Sequence, residues 1–223
     1  MKTLTIETSL GNASVCISDG SAILSYSREE AQGKQAEKLF YHISLILAEA
    51  GIEYKDLGAV TSSIGPGSFT SIRIGMAAAK GICIGLNIPF IGVSTLETLA
   101  YKSISGEGRA LSLIDAGRGQ FYSQKFIYSN NIFEPLSQAS SILYEDVISQ
   151  ASEIDKIICN KENVVFAEII NKQVIISDVG AKDCANLSDY KRKNNLIDYS
   201  ANHSPLYLRE PDAKPGKKFL WNY

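Results

Sequence analysis

The residues best suited to chemistry lie in one glycine-rich segment, Gly65–Thr70. Gly65 and Gly67 permit backbone conformations that are closed to other residues, and Ser68 or Thr70 can cap a helix that follows. Because exposed amides at a helix start attract anions, Gly65, Gly67, Ser68 and Thr70 form a candidate phosphate-binding loop. The segment lacks the Gly-Lys-Ser/Thr of a Walker loop. A purely architectural strand-to-helix turn is the alternative interpretation.

The helix predicted after this loop, Ser68–Leu86, is rich in small residues. Two interpretations account for them: tight packing on a sheet within the chain, or close approach of another subunit. Helix-interior glycines cost up to about 1 kcal/mol each relative to alanine, so either kind of packing is a reasonable compensation. Arg73 and Lys80, seven residues apart, share a face of this helix. They are candidates for an interface rim, a phosphate contact or solvated surface charge.

The residue types give little support to metal binding, peptidase activity or thiol chemistry. The two histidines, His42 and His203, have no neighbouring ligands at a metal-binding spacing, so no metal site is predicted. A peptidase using Ser68 lacks a recognisable histidine base. The four cysteines lie far apart without paired spacing and are expected to be buried reduced thiols: Cys16, Cys83, Cys159 and Cys184. No catalytic residue is assigned.

Composition restricts the partners and the location. The chain has 223 residues, 45% of them hydrophobic, with a formal net charge of -2. It lacks the basic excess that holds polyanionic nucleic acid through phosphate contacts, so any contact with nucleic acid is expected to be indirect. No secretion-signal pattern is visible, and Lys80 with several glycines interrupts the best candidate membrane span, Ile72–Ile91. We therefore expect a cytoplasmic protein without a membrane segment.

Hydrophobic periodicity predicts a mixed α/β architecture. An antiparallel three-strand meander opens the chain, and apolar residues on one face predict a helix over Gln35–Ala50. Strands and helices then alternate up to a helix capped by Ser94, with Glu97 at capping-box spacing. A first lobe over residues 1–102 and a smaller one over residues 103–223 are predicted. The second is expected to hold a hairpin, a helix over Ser141–Ala151 and loosely specified sequence from about Asn160 to His203.

Five sequence blocks, in order along nearly the whole chain, resemble the TsaB (YeaZ) family, which is related to TsaD and was formerly grouped with glycoproteases. They are Ile6–Ser9, Gly65–Gly81, Ile88–Glu97, Asp115–Tyr122 and Pro205–Arg209. The resemblance implies an actin-like, Hsp70-like ATPase (ASKHA) fold of two lobes, the second reduced. It also implies that the carboxyl-terminal segment packs back on the first lobe.

The resemblance further implies a non-catalytic scaffold for TsaD, acting with TsaE. In that family, threonylcarbamoyl is transferred to the adenosine beside the anticodon of tRNAs that read ANN codons. The isolated chain then needs no cofactor, and ATP with magnesium would bind only in the assembled complex. Alone, the chain would form a homodimer. The expected interface residues are Leu39, Ile43, Leu47, Phe69, Arg73, Met76, Ala77 and Lys80.

Departures from the family pattern bear on any chemistry of the chain's own. Glu7 stands where many relatives have aspartate near the phosphates, and its longer side chain would displace the carboxylate. Ile64 replaces a common basic residue before the loop, and Ser71 replaces a glycine. TsaD's paired metal-binding histidines have no counterpart in the matching region, Lys34–Leu39. An independent ATPase or sugar-kinase-like enzyme is the alternative function, followed by a glycoprotease-like peptidase.

Overall fold

The amino-terminal half of the chain builds a five-stranded sheet. The computed structural model describes residues 1–29, 35–104, 106–161, 173–199 and 203–209. The first sheet has the order β3-β2-β1-β4-β5, with β1 (Lys2–Glu7), β2 (Ala13–Asp19), β3 (Ala22–Glu29), β4 (Ala59–Ser63) and β5 (Phe90–Val93). The predicted meander is the antiparallel part, β1 to β3. β4 and β5 run parallel to β1 because helical crossovers connect them.

Three α-helices lie in the described part of the amino-terminal half of the chain. α1 (Gln35–Ala50) and α2 (Phe69–Leu86) pack on one face of the first sheet, where the apolar stripe of each meets the side chains of β1, β2 and β4. α3 (Thr95–Ser103) begins at Ser94, whose hydroxyl accepts a hydrogen bond from the Glu97 amide at 3.4 Å. The predicted cap of α3 is therefore confirmed.

The second sheet is formed by the rest of the chain. Its order is β11-β10-β6-β7-β8, with β9 paired to β7. The strands are β6 (Gly108–Gly117), β7 (Gln120–Ser129), β8 (Ile132–Pro135), β9 (Ser140–Leu143), β10 (Lys156–Cys159) and β11 (Gln173–Ile176). α4 (Val147–Gln150) covers its outer side, and α3 packs on its inner side.

One helix links the two halves. α5 (Ala181–Lys193) follows β11 but packs on the first sheet, on the face opposite α1 and α2. The Ser188 hydroxyl lies 3.0 Å from that of Thr61 on β4, and Ala181 and Ala185 pack on Cys16 of β2. The first sheet is therefore covered by helices on both faces.

Two sequence expectations for the second half are wrong. The helix predicted over Ser141–Ala151 begins as strand β9, because its backbone pairs with β7, and only Val147–Gln150 is α-helical. The sequence from Asn160 to His203 was expected to be loosely specified, yet it supplies β11 and the well-packed α5. Residues 162–172 and 200–202 of that stretch lie outside the described residues.

Candidate functional site

The glycine-rich loop joins β4 to α2 and is tied to both neighbouring strands. The Ile64 amide donates to the Val93 carbonyl at 2.9 Å, and the Ser68 amide donates to the Ser9 carbonyl at 2.8 Å. A Cβ at Gly67 would collide with the backbone of Ser9, so only glycine fits this close approach. The loop therefore holds the start of α2 directly against the end of β1.

A second close approach fixes the angle of α2. A Cβ at Gly75 would collide with the Thr8 hydroxyl, which donates to the Ser71 carbonyl at 2.7 Å. Small residues of α2 thus serve packing within the chain on its inner side, as one of the two sequence interpretations proposed.

The start of α2 borders a cleft of about 690 Å³ between the two sheets. Gly67 and Ser68 line it together with the turn after β1, the end of β6 and the carboxyl-terminal segment. The other two predicted anion-binding residues are not on its wall: the Gly65 carbonyl accepts the Thr95 amide at 2.8 Å, and Thr70 is exposed elsewhere on α2. Ser68 occupies the N-cap position without a capping bond.

The opposite wall of the cleft carries one acidic and one basic side chain, Asp115 and Arg209, that were not selected from the sequence as site residues. Asp115 accepts hydrogen bonds from the Gly117 amide at 2.8 Å and the Tyr144 hydroxyl at 3.1 Å, with Lys161 at 3.4 Å. Burial raises the pKa of Asp115, but these donors outweigh burial and hold the pKa below its ordinary value. Arg209 donates to the Ala116 carbonyl at 3.0 Å.

Glu7 is turned away from this cleft. Its side chain is 1% exposed, and its Oε1 accepts the amide of Ser9 at 2.8 Å and the hydroxyl of Ser9 at 2.5 Å. Its Oε2 and the Ser63 hydroxyl have no hydrogen-bond partner within the described part of the chain. Burial raises the pKa of Glu7, although the hydrogen bonds that Glu7 accepts from Ser9 oppose this shift. Glu7 is thus suited to hold Ser9 in place.

The two basic residues of α2 donate hydrogen bonds to the carboxyl-terminal segment 203–209. The Arg73 guanidinium lies 3.5 Å from the Phe69 ring centroid, and its Nε donates to the Tyr207 hydroxyl at 2.6 Å. Lys80 donates to the His203 carbonyl at 2.5 Å. Both basic side chains therefore have partners inside the chain that the sequence did not reveal.

Four of the predicted interface residues face the wrong way to meet a partner. Leu39, Ile43 and Leu47 of α1 are buried in the core, and so is Met76 of α2. The apolar stripe of an amphipathic helix packs on the sheet of its own chain, and here the sheet buries the side chains that were selected from the sequence. These four cannot contact another protein directly in this conformation. Of the predicted set, Phe69, Arg73 and Ala77 are exposed.

A different face of the two helices is open. On α2 the exposed residues Ala77, Gly81 and Gly85 recur every fourth position, and nothing within the described residues lies near the place of a Cβ at either glycine. Ile84 beside them is 83% exposed. On α1, which contacts α2, the exposed large hydrophobic residues are Phe40, Tyr41 and Leu45. We call these residues of α1 and α2 the open face.

By length and composition alone, Phe69–Leu86 is long and apolar enough to cross a membrane, with Arg73 and Lys80 inside it. The same test is passed by core helices. Ile72, Met76 and Ala79 are buried inside the chain, so packing on the sheet and the open face together account for the apolar character of α2.

Over the described ranges, titratable groups outside the cleft do not form the ligand set of a metal centre. Within the described residues, no three histidine, cysteine or acidic side chains converge as metal ligands. The four cysteines are free and buried. Burial raises the pKa of Cys16 to about 12, which leaves that thiol protonated at neutral pH.

Comparison with known proteins supplies relatives along most of the chain. Residues 28–213 match the family model described as TsaD, tRNA N6-adenosine threonylcarbamoyltransferase. The tRNA threonylcarbamoyladenosine biosynthesis protein TsaB of Buchnera aphidicola is 32% identical over 213 residues, covering 92% of this chain and 96% of the relative. TsaB of Escherichia coli is 29% identical over 153 residues, covering 67% of this chain and 65% of the relative.

A solved structure shares the fold. YeaZ from Pseudomonas aeruginosa matches with a TM-score of 0.77 at 20% identity, covering 93% of this chain and 99% of that one. The predicted α/β fold class is confirmed by this likeness.

Proposed function

This chain belongs to the TsaB (YeaZ) family, related to TsaD, and on that premise we propose that it acts in the formation of threonylcarbamoyladenosine in tRNA. Its role is that of a non-catalytic subunit in the cytoplasm. It docks on a TsaD-type partner, and a TsaE-type ATPase completes the assembly. The partner would carry the chemistry of transfer to adenosine, and contact of this chain with tRNA would be indirect.

The open face carries this proposal. Apolar side chains as exposed as Ile84 and Tyr41 are costly to leave in water when they cluster, and clusters of this kind mark interfaces. The stripe of Ala77, Gly81 and Gly85 lets the backbone of another helix approach closely, since the distance between helix axes is set by the side chains at the contact. In the absence of the partner, two copies of the same face would pair as a homodimer.

The surroundings of Ser68 and of the two histidines support a non-catalytic role. Ser68 pairs at 3.0 Å with the Ser71 hydroxyl rather than with a base. Of the two histidines, His42 bonds Ser27 and Glu29, and His203 packs on Phe90. These positions give no support to the peptidase hypothesis.

The cleft favours one alternative function, an independent ATPase. Its size of about 690 Å³ is within the range of small-molecule sites, and Gly67, Ser68 and Phe69 at the start of α2 line it. Against catalysis there, Glu7 is absent from its wall and Asp115 is already engaged by three donors. We propose that ATP and magnesium occupy this cleft only when the partner completes it.

Reconstitution separates the two functions. Threonylcarbamoyladenosine formation is measured with purified TsaD-type and TsaE-type proteins of the same source, with and without this chain. We expect modification to require the chain, and calorimetry of the isolated chain with ATP and magnesium to show no binding. Micromolar ATP affinity with turnover by the chain alone would instead establish the ATPase.

A further inference from the structure

A second cavity, of about 630 Å³, lies away from both the open face and the cleft. It forms where the end of α3, the β7–β8 hairpin and α5 meet. It shares no lining residue with the cleft beside α2. The residues that matter for its chemistry are Tyr101, Lys102, Tyr128, Phe133, Asp183, Asn186, Asp189, Tyr190 and Lys193.

Tyr101 and Tyr190 form an aromatic wall of this cavity, and Phe133, which is 3% exposed, supports them from the core. The Tyr101 ring centroid lies 5.0 Å from that of Tyr190 and 5.3 Å from that of Phe133. Phe133 in turn stacks on Phe126 beneath it at 5.2 Å. The Tyr190 hydroxyl accepts the Phe133 amide at 2.7 Å, which fixes the hairpin against α5. The wall is therefore held in place before any ligand arrives.

Both carboxylates that line the cavity are already paired. Asp183 pairs with Lys102 at 3.0 Å, and Asp189 pairs with Lys193 and with Arg192, each at 2.6 Å. Because the lining carboxylates and ammonium groups neutralise one another, the lining offers little net attraction to a phosphate or to an organic cation. A neutral ligand fits this lining best.

Two polar side chains of the lining remain available. Tyr101 and Asn186 have no hydrogen-bond partner within the described residues. Burial, followed by the neighbouring Tyr190, Tyr128 and Asp189, raises the pKa of Tyr101, so its hydroxyl stays a donor at neutral pH. The Asn186 amide offers both a donor and an acceptor. A ring with polar atoms at its edge can bond both groups, whereas a pure hydrocarbon ring cannot.

We propose that this cavity binds a neutral, planar heteroaromatic ring of nucleobase type, packed on the wall of Tyr101 and Tyr190 and read at its edge by Asn186 and the Tyr101 hydroxyl. Base–aromatic stacking supplies affinity, and the amide supplies selectivity. The site is independent of partner docking through the open face. The base belongs either to a free nucleoside or to an unpaired nucleotide of RNA.

Titration of the full-length chain with adenosine tests this proposal. We expect saturable one-site binding, weakened about 3- to 10-fold by either Asn186→Ala or Tyr101→Phe, the loss typical of one hydrogen bond. Gln150→Ala on α4 removes an amide outside this cavity and should leave the affinity unchanged. Amide chemical shifts in the nuclear magnetic resonance spectrum should move around Asn186, not around Ser9 and Ser68.

The probes also distinguish the chemistry and the source of the base. AMP should bind no more tightly than adenosine, and phenol more weakly. Tighter binding of a short single-stranded RNA than of adenosine would assign the base to RNA, and equal binding would assign it to the free nucleoside. The proposal fails if adenosine does not saturate the protein, if both variants bind it normally, or if the shifts map to the cleft.

Discussion

Ile84 gives the sharpest test of the open face. Ile84→Ala removes three methyl or methylene groups, each worth about 0.8 kcal/mol when buried. Since the side chain is 83% exposed in the isolated chain, nearly all of that gain is still available to a partner. If docking covers the residue, the variant should lose about 2 kcal/mol of binding free energy, which is about a 30-fold weaker affinity. Folding should be almost unaffected, because little packing within the chain is lost.

The assay is calorimetric titration of a TsaD-type partner with wild-type and variant chains. Ile148→Ala, the same chemical change at a 53% exposed position on α4, is the matched control and should bind normally. Circular dichroism melts establish that both variants remain folded. An unchanged affinity for Ile84→Ala, or equal losses for the two variants, would refute the assignment of the interface to α2.

Other substitutions test separate parts of the account. Ala77→Glu on the open face should weaken partner binding more than 10-fold with stability within about 0.5 kcal/mol of wild type, whereas Ala78→Glu places a charge in the core and should prevent stable folding, as judged by urea denaturation. Because burial raises the pKa of Glu7 above 4.5, its contribution to stability is greatest below that pH and is lost as pH rises through the folded-state pKa. Glu7→Gln should abolish this loss of stability with rising pH. At pH 7 it should stabilise the protein by about 1.4 kcal/mol for each unit by which folding raises the Glu7 pKa. An unchanged pH profile of denaturation would argue against this role of Glu7. Arg73→Ala should speed hydrogen exchange of the Leu206 amide, which donates to the Ile64 carbonyl at 2.7 Å, and unaltered exchange would show that Arg73 does not hold the segment.

Local sequence signals predicted the first sheet and its helices well. The alternation in β1 to β3, the helical stripe of Gln35–Ala50 and the Ser94 cap depend on neighbours close in the chain, and such signals are visible without tertiary knowledge. β9 could not be recognised in this way, because its strand conformation comes from pairing with β7 some twenty residues earlier.

α5 was missed because it is polar overall, although a signal was present. Its buried residues Ala181, Cys184, Ala185, Leu187 and Ser188 recur at helical spacing, but Leu187 is the single large apolar residue among them. Small residues contribute weakly to a hydrophobic pattern, and here they allow the helix to lie close to the sheet.

The candidate interface shows a different limit of prediction from sequence. Periodicity identifies the face of α1 that is apolar, but it does not say whether a sheet or a partner covers that face. In α1 the sheet buries Leu39, Ile43 and Leu47, and the hydrophobic residues left exposed lie between them. The partners of Arg73 and Lys80 were equally hidden, since they come from a segment more than one hundred residues away.

The rate of reconstituted tRNA modification, measured as a function of the concentration of this chain, tests docking against catalysis most directly. For Ile84→Ala we predict that the half-maximal concentration rises about 30-fold while the rate at saturation equals that of wild type. A full rate without the chain, or a reduced rate at saturation with normal half-maximal concentration, would contradict a role exerted through docking at the open face.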